Sequence, residues 1–339
     1  MKAVILVGGE GTRLRPLTYT CPKSLLPICN VPFLERQMAW LQGHGVNEAV
    51  LSLGYLPDAF VRHFPEGNFK GMKIRYVVED TPLGTAGGIR FAADGISERI
   101  LVCNGDVLTD LDVTELVALH ERSGAQATIA LTRVADPSAF GVVPTDDDGQ
   151  VQAFVEKPSR EDAPTDWVNA GTYVLEQSVL ERIPQGRNVS IERAIFPTLI
   201  GEGLFAMKSD AYWIDIGTPE KYLQAHADLL DGVFNPVAGG LAEPGTVGAG
   251  TSIAHDATVE RSVLGRDCVV ASGAEVVRSV LLDGAQVAPG AVVSDSILGP
   301  GAVVGDKTTC KGCVLGSGVI LEAGTSRAGE LIGLREGDQ

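Results

Sequence analysis

A glycine-rich segment with two arginines directly follows the first apolar run of the chain. The run KAVILV leads into GGEGTRLRPLT, residues 8–18. Glycines that directly follow a strand let the backbone approach a ligand closely and turn its N–H groups inward, which suits a triphosphate and the edge of a base. Neither common phosphate loop fits, because Glu10 occupies the third position of the segment and no Gly-Lys-Ser/Thr is present. What remains is a glycine loop with Arg13, Arg15 and then Lys23, a local basic group that favours an anion.

Short β-rich runs position this segment. The runs KAVILV, AVLSL, KIRYVV, ILVCN and ATIAL are apolar nearly throughout, as strands covered on both faces must be, and stretches of helical period lie between them. This alternation predicts an α/β fold, a Rossmann-like and mostly parallel sheet. Ligands of such sheets bind beyond the carboxyl ends of the strands, so the polar segments directly after strands are the candidates for a site.

The last third of the chain has a different pattern. Small aliphatic residues recur about every six positions from Val247, with occasional spacings of four, and small residues fill the intervals. The aliphatic positions are Val247, Ile253, Val259, Val263, Val269, Leu281, Val287, Val293, Ile297 and Val303. A hexapeptide period predicts a left-handed parallel β-helix; a valine-rich sandwich is the alternative. We therefore divide the chain into a catalytic domain (1–230), a linker (231–245), a β-helix (246–325) and a C-terminal tail (326–339).

The overall charge argues against several partners. Lys and Arg total 27 against 43 Asp and Glu, a formal charge of −16, which disfavours nucleic acid or an anionic membrane. No apolar run approaches the length of a membrane span and no signal peptide is recognisable, so we expect a soluble, cytoplasmic protein. Cys310 and Cys313 form a C-x-x-C without a second pair or a nearby histidine, which argues against a zinc site.

The segment GGEGTRLRPLT followed by PKSLLP resembles the signature of the sugar-1-phosphate nucleotidylyltransferase family. Further strings follow in the order of that family: EDTPLGTAGG, VCNGDVL, FGVV, FVEKP, NAGTYVL, SIERAIFP and WIDIGTPEKYL. With the hexapeptide tail, the chain resembles the branch that contains GDP-mannose pyrophosphorylases. The resemblance implies a reaction in which a sugar 1-phosphate attacks the α-phosphorus of a nucleoside triphosphate and pyrophosphate leaves.

The resemblance also implies a divalent metal. Asp106, directly after the run ILVCN, and Asp215, in WIDIG, match the family's Mg²⁺ ligands. Magnesium prefers oxygen ligands and phosphate co-ligands, which two carboxylates beside a triphosphate provide. Without the resemblance, the sequence fits a turn residue at Asp106 as well as it fits a metal ligand, and it fits a helix cap at Asp215.

The remaining site residues are likewise implied by the resemblance. Arg13 and Lys23 match the triphosphate-binding pair, Lys157 the lysine that holds the sugar phosphate, and Glu156 the acid that accepts sugar hydroxyl hydrogens. Taken alone, Glu156 and Lys157 would be a solvated charge pair at a strand end. Positions matched to the nucleotide are Gly8, Gly9, Gly11, Thr12, Leu83 and Gly84, and those matched to the sugar are Gly141, Asn169 and Gly171.

Substrates and competing functions follow from the same strings. LGTAGG is similar to the guanylyl branch, which favours GTP with mannose 1-phosphate, although another base, another sugar or a cyclitol phosphate stays open. A non-catalytic regulatory subunit of this fold is one alternative, which retention of the full charged set disfavours. An acyltransferase built on the β-helix is another, which the single tail histidine, His255, disfavours.

A short β-helix leaves apolar side chains uncovered, so we expect a homodimer or larger homo-oligomer.

Overall fold

A computed structural model describes residues 1–233 and 245–333. The described chain forms two compact units that do not follow chain order. The first unit comprises Met1–Gly9 and Gln37–Trp213, and the second comprises Glu10–Arg36 and Ile214 onward. The segment with Arg13 and Lys23 thus shares a compact unit with the C-terminal third. The domain boundaries drawn from the sequence stay a prediction; most of the linker (234–244) and the end of the tail (334–339) lie outside the described residues.

The helices and the strands of the first two thirds of the chain have the following bounds. The α-helices are α1 (Phe33–Gly43), α2 (Pro57–His63), α3 (Gly84–Ala92), α4 (Val113–Ser123), α5 (Gln177–Glu181) and α6 (Pro219–Leu230). The strands are β1 (Lys2–Leu6), β2 (Pro27–Ile28), β3 (Val31–Pro32), β4 (Glu48–Leu53), β5 (Asn68–Phe69), β6 (Met72–Val78), β7 (Ile100–Asn104), β8 (Val107–Thr109), β9 (Ala127–Arg133), β10 (Gly141–Val142), β11 (Val155–Glu156), β12 (Trp167–Leu175), β13 (Leu204–Lys208) and β14 (Trp213–Asp215).

The first unit is built on a mixed sheet of ten strands in which parallel pairs form the centre. Its main path runs β11-β10-β12-β7-β1-β4-β6-β5, and β9 pairs with β12 and β13. Strands β7, β1, β4 and β6 are mutually parallel neighbours, whereas β12 is antiparallel to β7. All five apolar runs form the strands that the sequence predicts, β1, β4, β6, β7 and β9. The α/β prediction is confirmed, with an antiparallel flank added to the parallel centre.

A hydrophobic core of described residues lies against this sheet. Strand residues such as Val4, Val102 and Ile129 pack with Ile89 of α3, and all four are fully buried. Phe196 closes the core at one end, where its ring lies edge-on to Tyr173 at 5.2 Å between centroids. Since both faces of the central strands must be covered, their runs are continuous rather than alternating in polarity.

The C-terminal third forms three parallel sheets of short strands. These strands are β15 (Ser252–Ile253), β16 (Thr258–Glu260), β17 (Val263–Leu264), β18 (Val269–Val270), β19 (Glu275–Val277), β20 (Val280–Leu281), β21 (Gln286–Val287), β22 (Val292–Ser294), β23 (Ile297–Leu298), β24 (Val303–Val304), β25 (Thr309–Lys311), β26 (Val314–Leu315), β27 (Ile320–Leu321), β28 (Ser326–Ala328) and β29 (Leu331–Ile332). Each strand pairs in parallel with the strand three places later in the chain, as in a left-handed β-helix. The last two strands lie beyond position 325, in the segment assigned to the tail from sequence.

The spacing of inward residues corrects the predicted register. The interior contains Val259, Leu264, Val270 and Val276, so successive intervals are about five, six and six residues rather than six with slips to four. Val269, predicted to point inward, is 39% exposed. Val263 and Ile297 are buried but lie outside the interior cluster. Leu281, Val287 and Val293 do face the interior, as predicted. The prediction was one residue out of register at Val263, Val269, Ile297 and Val303, because each is followed by a second apolar residue that faces the interior instead.

Cys310 and Cys313 belong to the β-helix interior. Both side chains are fully buried among its aliphatic residues. Burial raises the pKa of Cys310 to about 12, which keeps its thiol protonated. In the described ranges, no helix is both long and apolar enough to cross a membrane.

Within the second unit, the buried His226 of α6 contacts the segment around Cys29. The backbone N–H of Cys29 donates to His226 Nδ1 at 3.2 Å, and the ring of Tyr222 lies edge-on at 4.7 Å. The Arg36 guanidinium donates to Ile28 O at 2.8 Å in the same cluster. Burial, and then the charge of Arg36, lowers the pKa of His226 from 6.5 to about 3. His226 is therefore neutral in the folded protein throughout the physiological range.

We predict that this histidine makes the fold acid-sensitive. The unfolded chain takes up a proton at His226 below about pH 6.5, whereas the folded protein does not until about pH 3, so the free energy of unfolding falls as the pH drops. The loss from this residue should be about 2 kcal/mol between pH 7.5 and pH 5. Urea unfolding of wild type and His226→Asn, which keeps an acceptor for Cys29 N–H, measures it.

The matched control is His255→Asn, since His255 is exposed. His226→Asn is expected to be less stable than wild type at pH 7.5 but to lose less stability on acidification, and His255→Asn to follow wild type. Equal acid dependence in all three proteins would contradict the assignment.

Candidate active site

The end of β1 and the end of β7 meet at one edge of the parallel centre. Leu6 lies opposite Asn104 in the parallel register, and the Gly105 N–H donates to Leu6 O at 2.9 Å. A Cβ at Gly105 would lie 2.6 Å from Leu6 O, so only glycine permits this approach. Asp106 and Gly8 therefore follow neighbouring strands at their carboxyl ends, where the sequence predicts a ligand.

In the second unit, the basic segment is a series of tight turns. Gly11 has a φ of 62° and precedes the 3₁₀ turn Thr12–Leu14, which carries Arg13. The Thr18 hydroxyl donates to Gly11 O at 2.9 Å and holds the turn closed. A Cβ at Gly11 would lie 3.2 Å from Lys23 Cβ, so Gly11 and the half-buried Lys23 lie side by side. Thr12, Arg13 and Lys23 are thus brought onto one short stretch of folded backbone.

Arg13 forms an ion pair with Asp215 in the same unit. Arg13 Nη2 lies 3.7 Å from Asp215 Oδ2, with side chains 61% and 17% exposed. Asp215 Oδ1 accepts the Gly217 N–H at 2.8 Å, and a Cβ at Gly217 would lie 2.8 Å from that same oxygen and closer still to Arg13 Nη2. A side chain at residue 217 would therefore make the guanidinium move from its present position beside Asp215.

Leu83 and Gly84 lie at the start of α3. Residues 82–87, which comprise the end of the preceding loop and the first turn of α3, are called the 82–87 loop. The Leu83 N–H donates to Glu79 Oε2 at 3.0 Å, and Glu79 Oε1 accepts the Ser52 hydroxyl at 2.9 Å. Gly84 has a φ of 70°, which favours glycine. Glu79 thus fixes the loop that the family resemblance assigns to the nucleotide.

Gly141 and Glu156 lie opposite each other on the antiparallel strands β10 and β11. A Cβ at Gly141 would lie 3.0 Å from Glu156 Oε2 and closer to the ring of Phe154. Lys157 follows directly, with a φ of 51° and its N–H donating to Phe140 O at 2.9 Å. A lysine rarely adopts this left-handed conformation, and such strain concentrates at functional sites. The backbone therefore turns at the exposed Lys157, directly after β11.

Asn169 and Gly171 form a bulge in β12. The ladder between β12 and β9 shifts register between Asn169 and Tyr173. Asn169 Oδ1 accepts the Gly171 N–H at 2.9 Å, and Asn169 Nδ2 donates to the Tyr173 hydroxyl at 2.8 Å. Bulges commonly redirect side chains beside active sites. Asn169 therefore shapes the bulge itself, which the sequence did not predict, and its amide keeps further hydrogen-bonding capacity.

The carboxylates suit a divalent cation. Asp106 is half-buried in the turn between β7 and β8, and Asp215 is mostly buried with one oxygen held by a backbone N–H. Among the described residues, no group of three or more His, Cys, Asp or Glu side chains is arranged so that it could hold a metal ion by itself. Magnesium is usually bound by one or two carboxylates together with substrate phosphates, so each aspartate is of the right chemical type to contribute to such a site.

The structure divides the predicted site residues between its two units. The first unit contains Gly8, Gly9, Leu83, Gly84, Asp106, Gly141, Glu156, Lys157, Asn169 and Gly171; the second contains Gly11, Thr12, Arg13, Lys23 and Asp215. Gly105, Gly217 and Glu79 were missed by sequence reasoning. They lie in or beside the strings that carry the family resemblance, but their roles depend on close approaches between distant segments that no local pattern reveals.

Comparison with known proteins matches both parts of the chain to families. The family model described as "Nucleotidyl transferase" matches residues 2–232, and that described as "GMPPB C-terminal domain" matches residues 241–332. The chain is 45% identical over 235 residues to a mannose-1-phosphate guanylyltransferase of Mycobacterium tuberculosis, covering 68% of this chain and 65% of that protein. It is 41% identical over 239 residues to the mannose-1-phosphate guanylyltransferase catalytic subunit beta of Xenopus tropicalis, covering 69% and 66%. The chain thus spans about two thirds of the length of these relatives.

A solved structure shares the architecture of the larger part. HddC from Yersinia pseudotuberculosis, crystallised in complex with GMP-PN, superimposes with a TM-score of 0.58 at 32% identity, over 66% of this chain and 97% of that one. The family model and the relatives agree with the resemblance carried by the sequence strings. The chain belongs to the nucleotidyl transferase family.

Proposed function

We propose that the chain joins GTP to mannose 1-phosphate, giving GDP-mannose and pyrophosphate. The observation that carries the proposal is the junction of β1 and β7, where a glycine segment and Asp106 follow neighbouring strand ends. Family membership and relatives named mannose-1-phosphate guanylyltransferase support the reaction and the substrates. The binding of GMP-PN by HddC supports a guanine nucleotide.

The proposed reaction needs no covalent nucleophile of the enzyme. A phosphate oxygen of the sugar phosphate attacks the α-phosphorus of GTP in line, and the bond to the pyrophosphate breaks. The protein must hold two polyanions together, so its tasks are positioning and charge neutralisation. Lys157 would hold the sugar phosphate and Glu156 the sugar hydroxyls, whereas Lys23 would neutralise charge at the α-phosphate and Arg13 at the departing pyrophosphate.

We assign Asp106 and Asp215 as the residues that hold the divalent cation, with Mg²⁺ as the expected ion. When bound, the ion would neutralise phosphate charge and fix the orientation of the triphosphate. Asp215 also forms the ion pair with the Arg13 guanidinium at 3.7 Å. The Gly8, Gly9, Gly11 and Thr12 backbone would approach the triphosphate. Self-association into a homodimer or larger assembly stays a prediction.

The nucleotide preference tests the guanylyl assignment. We expect GTP with mannose 1-phosphate to give the highest kcat/KM among GTP, ATP, UTP and dTTP, measured by pyrophosphate release with a panel of sugar and cyclitol 1-phosphates. A site that reads a base leaves its own polar groups unpaired with the wrong base, so discrimination among nucleotides should exceed that among sugar epimers. Preference for another nucleotide would refute the base assignment and leave the reaction class intact.

Removal of either carboxylate charge tests the metal assignment. Asp106→Asn and Asp215→Asn should each lower kcat/KM by about 10²-fold or more, because electrostatic stabilisation of phosphoryl chemistry is lost at almost constant side-chain volume. Asp147→Asn, at an exposed position, is the control and should retain wild-type activity. Near-normal, Mg²⁺-dependent turnover of both site variants would contradict the assignment.

A methyl group at position 217 tests the role of Arg13. Gly217→Ala should lower kcat/KM by about tenfold to a hundredfold, since its Cβ would displace the guanidinium from Asp215. The melting temperature should change little, because the displaced atoms are the flexible end of a mostly exposed side chain. Gly245→Ala is the matched control, since a Cβ there meets no described atom within 4 Å. Equal activity of the two variants would show that Arg13 needs no such placement.

A further inference from the structure

The segment after Val189 adopts an uncommon backbone form. Residues Ile191–Ile195 form a π-helical turn, and Ser190 caps it by accepting the Arg193 N–H at its hydroxyl at 3.2 Å. A 3₁₀ turn, Phe196–Leu199, follows with Pro197 in its first positions. Short π-helical turns are rare and are frequently found at functional sites. The string SIERAIFP was part of the family resemblance, but no role in the proposed reaction has been assigned to it.

Glu192 connects this turn to the 82–87 loop. Glu192 Oε2 accepts hydrogen bonds from the Thr85 hydroxyl at 2.8 Å and from the Ser190 hydroxyl at 2.6 Å. The Thr85 oxygen in turn accepts the Ile191 N–H at 2.8 Å. Both hydroxyls thus donate to one half-buried carboxylate, and hydrogen bonds to charged groups are about twice as strong as neutral ones.

The backbone of residues 188–189 holds the same loop at close range. The Val189 N–H donates to Leu83 O at 2.8 Å, and Val189 O accepts the Ala86 N–H at 2.9 Å. Asn188 Nδ2 donates to Pro82 O at 2.9 Å. A Cβ at Gly84 would lie 2.7 Å from Val189 O, so the glycine admits the neighbouring backbone. The conformation of the loop therefore depends on where the 188–192 segment is held.

The other side of the turn faces the residues assigned to the sugar phosphate. Arg193 Nη2 lies 4.0 Å from Glu156 Oε1. Burial, and then the negative charge of Glu192, raises the pKa of Tyr173, whose hydroxyl accepts the hydrogen bond from Asn169 Nδ2. Adjacent residues of one turn thus act on both sides, Glu192 strongly through hydrogen bonds and Arg193 weakly through an exposed ion pair.

We propose that Glu192 is a positioning residue that fixes the 82–87 loop through Thr85, and that the turn containing it ties this loop to the sugar-phosphate side through Arg193 and Glu156. The inference rests on the proposed function for the identity of the two substrates. It goes beyond that function by placing the control of nucleotide affinity in a residue that need not touch the nucleotide.

The test separates substrate affinity from turnover. Glu192→Ala should raise the KM for the nucleoside triphosphate about tenfold or more while kcat changes less than about threefold, because the loop loses its anchor but the charged groups stay in place. Glu192→Gln keeps an acceptor for Thr85 and should recover most of the wild-type KM. Arg193→Gln should raise the KM for the sugar phosphate, by about two- to threefold, and leave that for the nucleotide unchanged.

Thr85→Val provides the coupling test without altering Glu192. Thr85→Val alone should raise the nucleotide KM, and the double variant with Glu192→Ala should lose less than the sum of the two single losses, since both remove the Thr85–Glu192 hydrogen bond. Glu192→Ala with wild-type KM values would overturn the proposal, as would a loss confined to kcat or to the melting temperature. Additive losses in the double variant would also overturn it.

A binding measurement distinguishes failure of this inference from failure of the proposed function. The dissociation constant of GTP, measured by calorimetry without sugar phosphate, should rise about tenfold in Glu192→Ala and stay near wild type in Glu192→Gln. If wild type binds GTP but forms no nucleotide sugar, the proposed function fails while the test of Glu192 still stands. If wild type is active and Glu192→Ala binds GTP normally, the inference alone fails.

Discussion

Close packing of backbone against backbone is the constraint on which the candidate site depends. At Gly105 the turn before Asp106 lies against the carbonyl of Leu6, and at Gly84 the 82–87 loop lies against that of Val189. A side chain at either position would push two neighbouring segments apart. Each glycine lets two backbone segments lie closer together than any side chain would allow. The glycines therefore determine the distances between the segments that carry the charged groups.

Charge then acts within the space that this packing leaves. The chain carries a formal charge of −16, so its long-range field repels the polyanions that the site is proposed to hold. Local cationic side chains must provide the attraction. Arg13 is such a side chain, and its guanidinium lies beside the carboxylate of Asp215. The proposed cation at Asp215 would weaken that pair and leave Arg13 available to phosphate.

Sequence alone predicted the parts of the fold that local patterns encode. Central strands such as β1 and β7 are continuous apolar runs because both faces are buried, and Gly8 and Asp106 could be placed at their ends from that fact. The β-helix register was wrong by one residue at four positions, as at Val263, because Val263 and Leu264 are both apolar. Leu264 faces the interior of the β-helix, whereas Val263 lies outside that interior and is buried all the same. Tertiary packing, and no local sequence pattern, distinguishes the two.

Residues that act through distant partners were beyond the reach of the sequence. Thr85 and Glu192 are far apart in the chain, and their hydrogen bond leaves no period or spacing to detect. The same holds for the second unit, where Asn30 Nδ2 donates to Leu264 O at 2.8 Å and Arg261 forms an ion pair with Asp231. Residues Leu223 and Ala227 of α6 line the same cavity as Val280 of the β-helix. Helix α6 begins directly after Asp215 and Gly217. The β-helix therefore lies beside the helix that follows Asp215, the candidate metal ligand. The C-terminal third, although it contains none of the predicted site residues, is therefore part of the framework that holds Arg13 and Asp215 in place.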